Sequence, residues 1–143
     1  MKISTRARYG LKAVVDLATQ YGGDPVAVSA LAQMQGISEA YLEQLVAALK
    51  RAKLLTGVRG AQGGYMLSRA PEEITVGEVL RALEGTTAIY ECVGDESFGC
   101  ENAGTCSARP LWLKLQSKID GVLNDTTIKD MADDYTIQKR RSE

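Results

Sequence analysis

Apolar positions in this chain first fall at helical spacing. Leu11, Val14, Val15 and Ala18 recur at i, i+3, i+4 and i+7, which predicts a helix from Thr5 to about Tyr21 with Ser4 as its N-cap. Gly22-Gly23-Asp24-Pro25 breaks it. A short second helix is expected from about Ser29 to Gln35, with Ala30, Leu31 and Met34 inward and Gly36 as its stop. The third begins almost at once, with Ser38 as N-cap, Glu39 complementing the dipole and Ile37 positioned to pack on Leu42 as a hydrophobic staple. Its Leu42, Leu45, Val46 and Leu49 share one face, leaving Ala40, Gln44, Ala47 and Arg51 on the other, flanked by Tyr41 and Glu43.

The period then changes. Leu54 to Arg59 reads as a strand, Gly60-Ala61-Gln62-Gly63-Gly64 as a tight turn and Tyr65-Met66-Leu67 as the returning strand, so a β-hairpin wing follows a helix-turn-helix. Thr75-Val76-Gly77-Glu78 is a capping box for a helix with Val76, Val79, Leu80 and Leu83 inward that ends at Gly85. Farther on, Ser107 can cap a helix that tolerates Pro110 in its first turn. In it Trp112, Leu115, Ile119 and Val122 repeat at spacings of three, four and three, a seam for a partner helix, although the same helix could cover its own domain. Thr126 to Asp130 starts a last short helix, and residues 135–143, with the basic run Lys139-Arg140-Arg141, are expected to form a disordered tail. The expected fold is mainly α: a winged helix-turn-helix domain over residues 1–84, a cysteine-bearing loop over 85–106, and a long C-terminal dimerisation helix with a short terminal helix over 107–134.

Composition alters this picture in two ways. The chain has 143 residues, 45% of them hydrophobic, enough for one core with an extension. No apolar run nears the roughly 18 residues of a membrane span and the start is not a signal-peptide core, so a cytoplasmic protein is expected. The net charge of -1 conceals polarity: residues 1–69 carry nine Lys/Arg and four Asp/Glu (+5), and residues 70–143 carry eight and fourteen (-6). A basic first half suits a polyanion. Ala40 and Ala47 let the third helix approach another surface, and Gln44 and Glu43 are residue types that read adenine and cytosine edges in a major groove. Lys50 and Arg51 suit phosphates, and Arg59, with the nearby Arg69, suits backbone or minor-groove contacts. An ordinary solvated helix face is the competing reading. The expected partner is double-stranded DNA at a pseudo-palindromic operator, contacted by Ser38, Ala40, Tyr41, Glu43, Gln44, Arg51, Arg59, Gly60 and Gly63 of each half of a homodimer.

Candidate chemistry is confined to three cysteines, Cys92, Cys100 and Cys106, spaced C-x7-C-x5-C. Histidine is absent, which removes Cys-His and Ser-His nucleophilic constellations, so no enzyme is expected. An odd number of cysteines points to metal binding or redox sensing rather than a structural disulfide. Thiolates are the usual iron-sulfur ligands, and Gly94, Gly99 and Gly104 would let one cluster be wrapped. The spacing is unlike the paired C-x2-C of structural zinc. A cluster-free thiol switch and an iron-sulfur carrier are the alternatives.

Several stretches together resemble the Rrf-type winged-helix regulators. They are Lys2-Ile3-Ser4 with Arg8-Tyr9-Gly10, Gly36-Ile37-Ser38 with Tyr41-Leu42-Glu43-Gln44-Leu45, Val58-Arg59-Gly60 with Gly63-Gly64-Tyr65, and Val76-Gly77-Glu78-Val79. The resemblance extends to about Asp134 and is nearest to the iron-sulfur cluster regulators of the IscR type, with the NsrR and CymR types as relatives. It implies a homodimeric transcription factor, here expected to be a repressor. Its recognition helix would correspond to Ser38 through Lys50 and its wing to Val58 through Tyr65, with Cys92, Cys100 and Cys106 holding a [2Fe-2S] or [4Fe-4S] cluster. A CymR-like regulator of sulfur metabolism is the alternative, although that type lacks the full cysteine set. The fourth ligand is unassigned. Where some relatives have a histidine this chain has Arg109, and where others have an aspartate it has Arg8.

Overall fold

A computed structural model describes residues 2–94 and 104–143. Helix α1 (Thr5–Thr19) starts where expected: the Ser4 hydroxyl accepts from the Ala7 N–H at 3.1 Å and donates to the Glu84 carboxylate. Its buried face is wider than the spacing predicts, taking in Ala7, Gly10, Ala13 and Leu17, while Leu11 is only half-buried. Helices α2 (Val28–Gln35) and α3 (Glu39–Arg51) follow, with Gly36 between them at φ +68°, a left-handed turn that glycine adopts without steric cost.

The inward face expected for α2 needs correction. Leu31 is buried as expected, but Ala30 and Met34 are exposed, and Ala32 and Gln35 are buried in their place. A polar partner explains the rotation, because the Gln35 side-chain amide donates to the buried Asp16 carboxylate of α1. The buried Asp16 carboxylate gains this donor only when α2 presents Gln35 rather than Met34 to α1.

The wing consists of β1 (Leu55–Val58) and β2 (Gly64–Leu67), antiparallel, with Leu55 opposite Leu67 and Val58 opposite Gly64. The other edge of β2 is also paired. Val26 N–H donates to Tyr65 O at 2.9 Å and Tyr65 N–H to Val26 O at 2.8 Å, fixing the wing to the segment between α1 and α2. A Cβ on Gly64 would collide with that Val26 carbonyl, which accounts for glycine there.

A 3-10 turn (Pro71–Glu73) leads to α4 (Val76–Glu84), whose capping box of Thr75 and Glu78 is formed as expected. Its stripe of Val76, Val79, Leu80 and Leu83 is buried. Leu83 packs so tightly on α1 that a Cβ on Gly10 would overlap it. After the single-turn α5 (Glu91–Gly94) come α6 (Arg109–Asp125) and α7 (Ile128–Ser142). Ala108, not Ser107, is the N-cap of α6, and it makes no side-chain cap bond.

Helix α7 differs most from expectation. It is 15 residues long and runs through the segment expected to be a disordered tail. Thr127 and Asp130 form its capping box, Ile128 and Ala132 are buried in the core, and Tyr135 packs against that core with the Lys139 ammonium 4.5 Å from its ring centre. Ile128 N–H donates to Ile74 O at 2.8 Å, and Val76 N–H to Thr126 O at 2.9 Å. This helix therefore completes the N-terminal domain instead of lying beyond it. Among the described residues no helix is long and apolar enough to cross a membrane.

Candidate nucleic-acid interface and cysteine segment

Helix α3 divides as its sequence predicts. Leu42, Leu45, Val46 and Leu49 are buried, joined by Ala48, and Ala40, Glu43, Gln44, Ala47, Lys50 and Arg51 are exposed. Ser38 accepts from the Tyr41 N–H at 3.1 Å. A hydroxyl used in this way keeps its own O–H for an outside acceptor. Tyr41 is half-buried, its ring edge-on to Tyr9 with centroids 6.4 Å apart. Arg8 and Lys12 lie 5.1 and 5.3 Å from the Tyr9 ring centre, so α1 contributes cations beside the start of α3. Tyr9 was not identified from the sequence as a member of this surface. It lies at the margin of the apolar stripe of α1, where an aromatic ring can join two helices.

The wing joins the opposite end of α3. Lys50 Nζ would lie 3.5 Å from a Cβ on Gly57 in β1, bringing a cation to the base of the hairpin. Arg59 and Gly60 are exposed at the tip, and Gly60 has φ +111°. Gly63 is half-buried, and any side chain there would meet the Val58 carbonyl. Arg69 is engaged within the chain. Its guanidinium donates to the Glu73 carbonyl at 3.0 Å and pairs with the Glu78 carboxylate at 3.3 Å, which ties it to the start of α4.

Of the cysteines, Cys92 lies in α5 and Cys106 just before α6, both half-buried and unpaired, and α5 packs on α6. Cys100 falls outside the described residues. Among the described residues no group of three or more His, Cys, Asp and Glu is assembled for a metal ion. The donor chemistry suits a cluster, since thiolates match its soft iron. Arg109 is half-buried at the first turn of α6, its Nε buried without a hydrogen-bond partner among the described residues. Always protonated, it cannot be the missing ligand.

The sequence profile of the Rrf2 family, described as an iron-dependent transcriptional regulator, matches residues 3–134. This chain belongs to the Rrf2 family. It is 40% identical over 132 residues to the transcriptional regulator CymR of Bacillus subtilis, covering 92% of this chain and 90% of that one. It is 34% identical over 137 residues to the transcriptional regulator IscR of Sodalis glossinidius, with 96% and 82% covered. Among solved structures, that of CymR, the global cysteine regulator of B. subtilis, superposes with a TM-score of 0.78 at 40% identity, covering 93% of this chain and 97% of that one. IscR of T. potens superposes with a TM-score of 0.76 at 38% identity, with 94% and 88% covered. The Rrf2 protein is thus a winged-helix transcriptional regulator, a DNA-binding and non-enzymatic role.

In this Rrf2 protein the expected partner seam divides in two. Trp112 and Ile119 are half-buried on the side that carries the buried Gln116, whereas Leu115 and Val122 share an exposed stripe with Leu111 at 38%, 65% and 52% exposure. Position counting predicted one stripe because 3.5- and 3.6-residue periods diverge little over so short a helix. Gln116 gave no sequence signal, being a polar residue in a largely polar helix.

Proposed function

We propose that this protein is a homodimeric repressor that reads an operator with α3 and the wing and senses cluster status through an iron-sulfur cluster on Cys92, Cys100 and Cys106. The observation that carries the reading is positional: Cys92 and Cys106 are unpaired, half-buried thiols that both lie in the connection between α4 of the DNA-binding domain and α6. A group held there would touch both. When bound, the cluster would supply a redox- and iron-sensitive state. The residues around it would transmit that state by favouring one disposition of α6 over another, the difference in DNA affinity being the coupling energy.

Within the same reading, Ala40 and Ala47 permit close approach to a groove, Glu43 and Gln44 reach base edges, and Ser38, Tyr41, Arg51 and Arg59 hold phosphates. Gly60 and Gly63 shape the wing tip. Leu115 and Val122 meet their counterparts across a two-fold axis, with Trp112 and Ile119 supporting them from beneath.

A second reading keeps DNA binding and replaces the cluster with a thiol switch. It is favoured by the 40% identity with the cysteine regulator CymR, a type solved also in an oxidized form from Staphylococcus aureus. Anaerobic purification followed by visible absorbance and iron and sulfide analysis separates the two. The cluster reading expects a coloured protein with stoichiometric iron and sulfide, and DNA affinity that differs between loaded and cluster-free forms. A colourless, iron-free protein whose affinity changes with thiol oxidation establishes the second reading instead.

A further inference from the structure

Helix α6 has one residue that is buried, and it is polar: Gln116, 7% exposed. Its carbonyl oxygen accepts from the Ile89 N–H at 2.8 Å, and its amide nitrogen donates to the Thr87 carbonyl at 3.3 Å and to Asp120 Oδ1 at 2.8 Å. The side chain therefore grips the main chain on both sides of Ala88, just ahead of Cys92, while Asp120 fixes which way the amide points. Residues 86–89 have a second neighbour. With Ile119 and Leu123 of α6, Ala7 of α1, Leu80 of α4 and Ile3 ahead of α1, they wall a mostly apolar cleft of about 630 Å³.

We infer that Gln116 is a positioning residue that couples the cysteine segment to α6, so that a change of state at the thiols is transmitted to the helix rather than absorbed by a slack connection. The inference rests on the sensing role proposed above. Its physical basis is specificity of restraint. An apolar contact would let residues 87–89 slide along α6, but two opposed bonds to one stretch of backbone fix both register and distance. Burial adds to this, because an amide that let go of its partners inside the protein would leave several polar groups without hydrogen bonds. The same helix follows Cys106 directly, so both ends of the cysteine segment are referred to one rigid element.

The test uses full-length protein, wild type and Gln116→Leu, each cluster-loaded and cluster-free, with operator affinity measured at fixed salt and exchange of the Ile89 amide followed by NMR. Gln116→Leu is expected to keep its cluster content and cluster-free affinity within about twofold of wild type, to expose the Ile89 amide to faster exchange, and to lose most of the affinity ratio between the two states. A purely structural role would lower affinity in both states and preserve the ratio. Full retention of the wild-type ratio in Gln116→Leu overturns the coupling. Equal affinity of the two wild-type states overturns the sensing role itself, and the coupling with it. Should Gln116→Leu fail to fold, Gln116→Glu, which keeps the acceptor for Ile89 but loses the donor to Thr87, is read by the same ratio.

Discussion

Asp16 illustrates how one side chain sets conditions for the domain around it. Burial pushes its carboxyl above the usual carboxylate range, against the opposing pull of Lys139, Lys12 and the Gln35 hydrogen bond. The folded chain thus keeps this proton to higher pH than the unfolded chain. As pH rises from about 4 through the folded-state value, the unfolded state releases the proton first and Asp16 subtracts from stability. Asp130 acts oppositely, its pKa held low by the Thr127 backbone and side-chain bonds, and it does so in wild type and variant alike. The difference in denaturant midpoint between wild type and Asp16→Asn, followed across that window, is therefore expected to move in favour of the variant as pH rises. A constant difference would show that folding does not raise the pKa of this carboxyl. None of this was legible in the sequence, where Asp16 drew no reading and Met34, rather than Gln35, read as an inward residue of α2.

The elements that were legible carry their instructions locally. Ser4, Ser38 and Thr75 each cap the helix that follows, and each cap bond is formed within three residues. The glycine-rich turn likewise specifies its hairpin without distant help, although Val26 then fixes the wing from outside its own sequence. Arg59 and Arg69 both read as candidate phosphate ligands, and only geometry separates them. Arg59→Ala is expected to weaken binding similarly for all sequences, with the slope of log K against log salt shallower by about 1, whereas Arg69→Ala should leave that slope unchanged and slightly lower stability. Gln44→Ala should shift preference at one base pair by roughly 1–3 kcal/mol, measured by competition among operator variants. If Arg69→Ala alters the salt slope as much as Arg59→Ala does, the ion pair with Glu78 gives way on DNA.

At the scale of the whole molecule, α6 presents an unpartnered apolar surface among the described residues, with Leu111, Leu115 and Val122 exposed along one side. Replacing Leu115 and Val122 together by Glu is expected to yield a monomer by sedimentation and to reduce affinity for a two-half-site operator by roughly a hundredfold or more, because each half-site is then bound alone. Unfolding of the N-terminal domain should be little changed, since neither side chain enters its core. A persistent dimer would place the interface elsewhere. The sequence showed that α6 had apolar residues to spare but not how they divide, because Gln116 decides which side of the helix faces inward.

One long-range attachment also bears on how the protein is made. Ile128 is fully buried and its backbone is bonded to Ile74, so the last helix closes a core begun more than a hundred residues earlier. During synthesis the winged-helix region leaves the ribosome well before that helix does, with Ile74 and its neighbours still uncovered. A nascent or proteolysed chain ending short of residue 128 would therefore carry a complete recognition helix on an unfinished core, and would be a substrate for chaperones and proteases before it could occupy an operator.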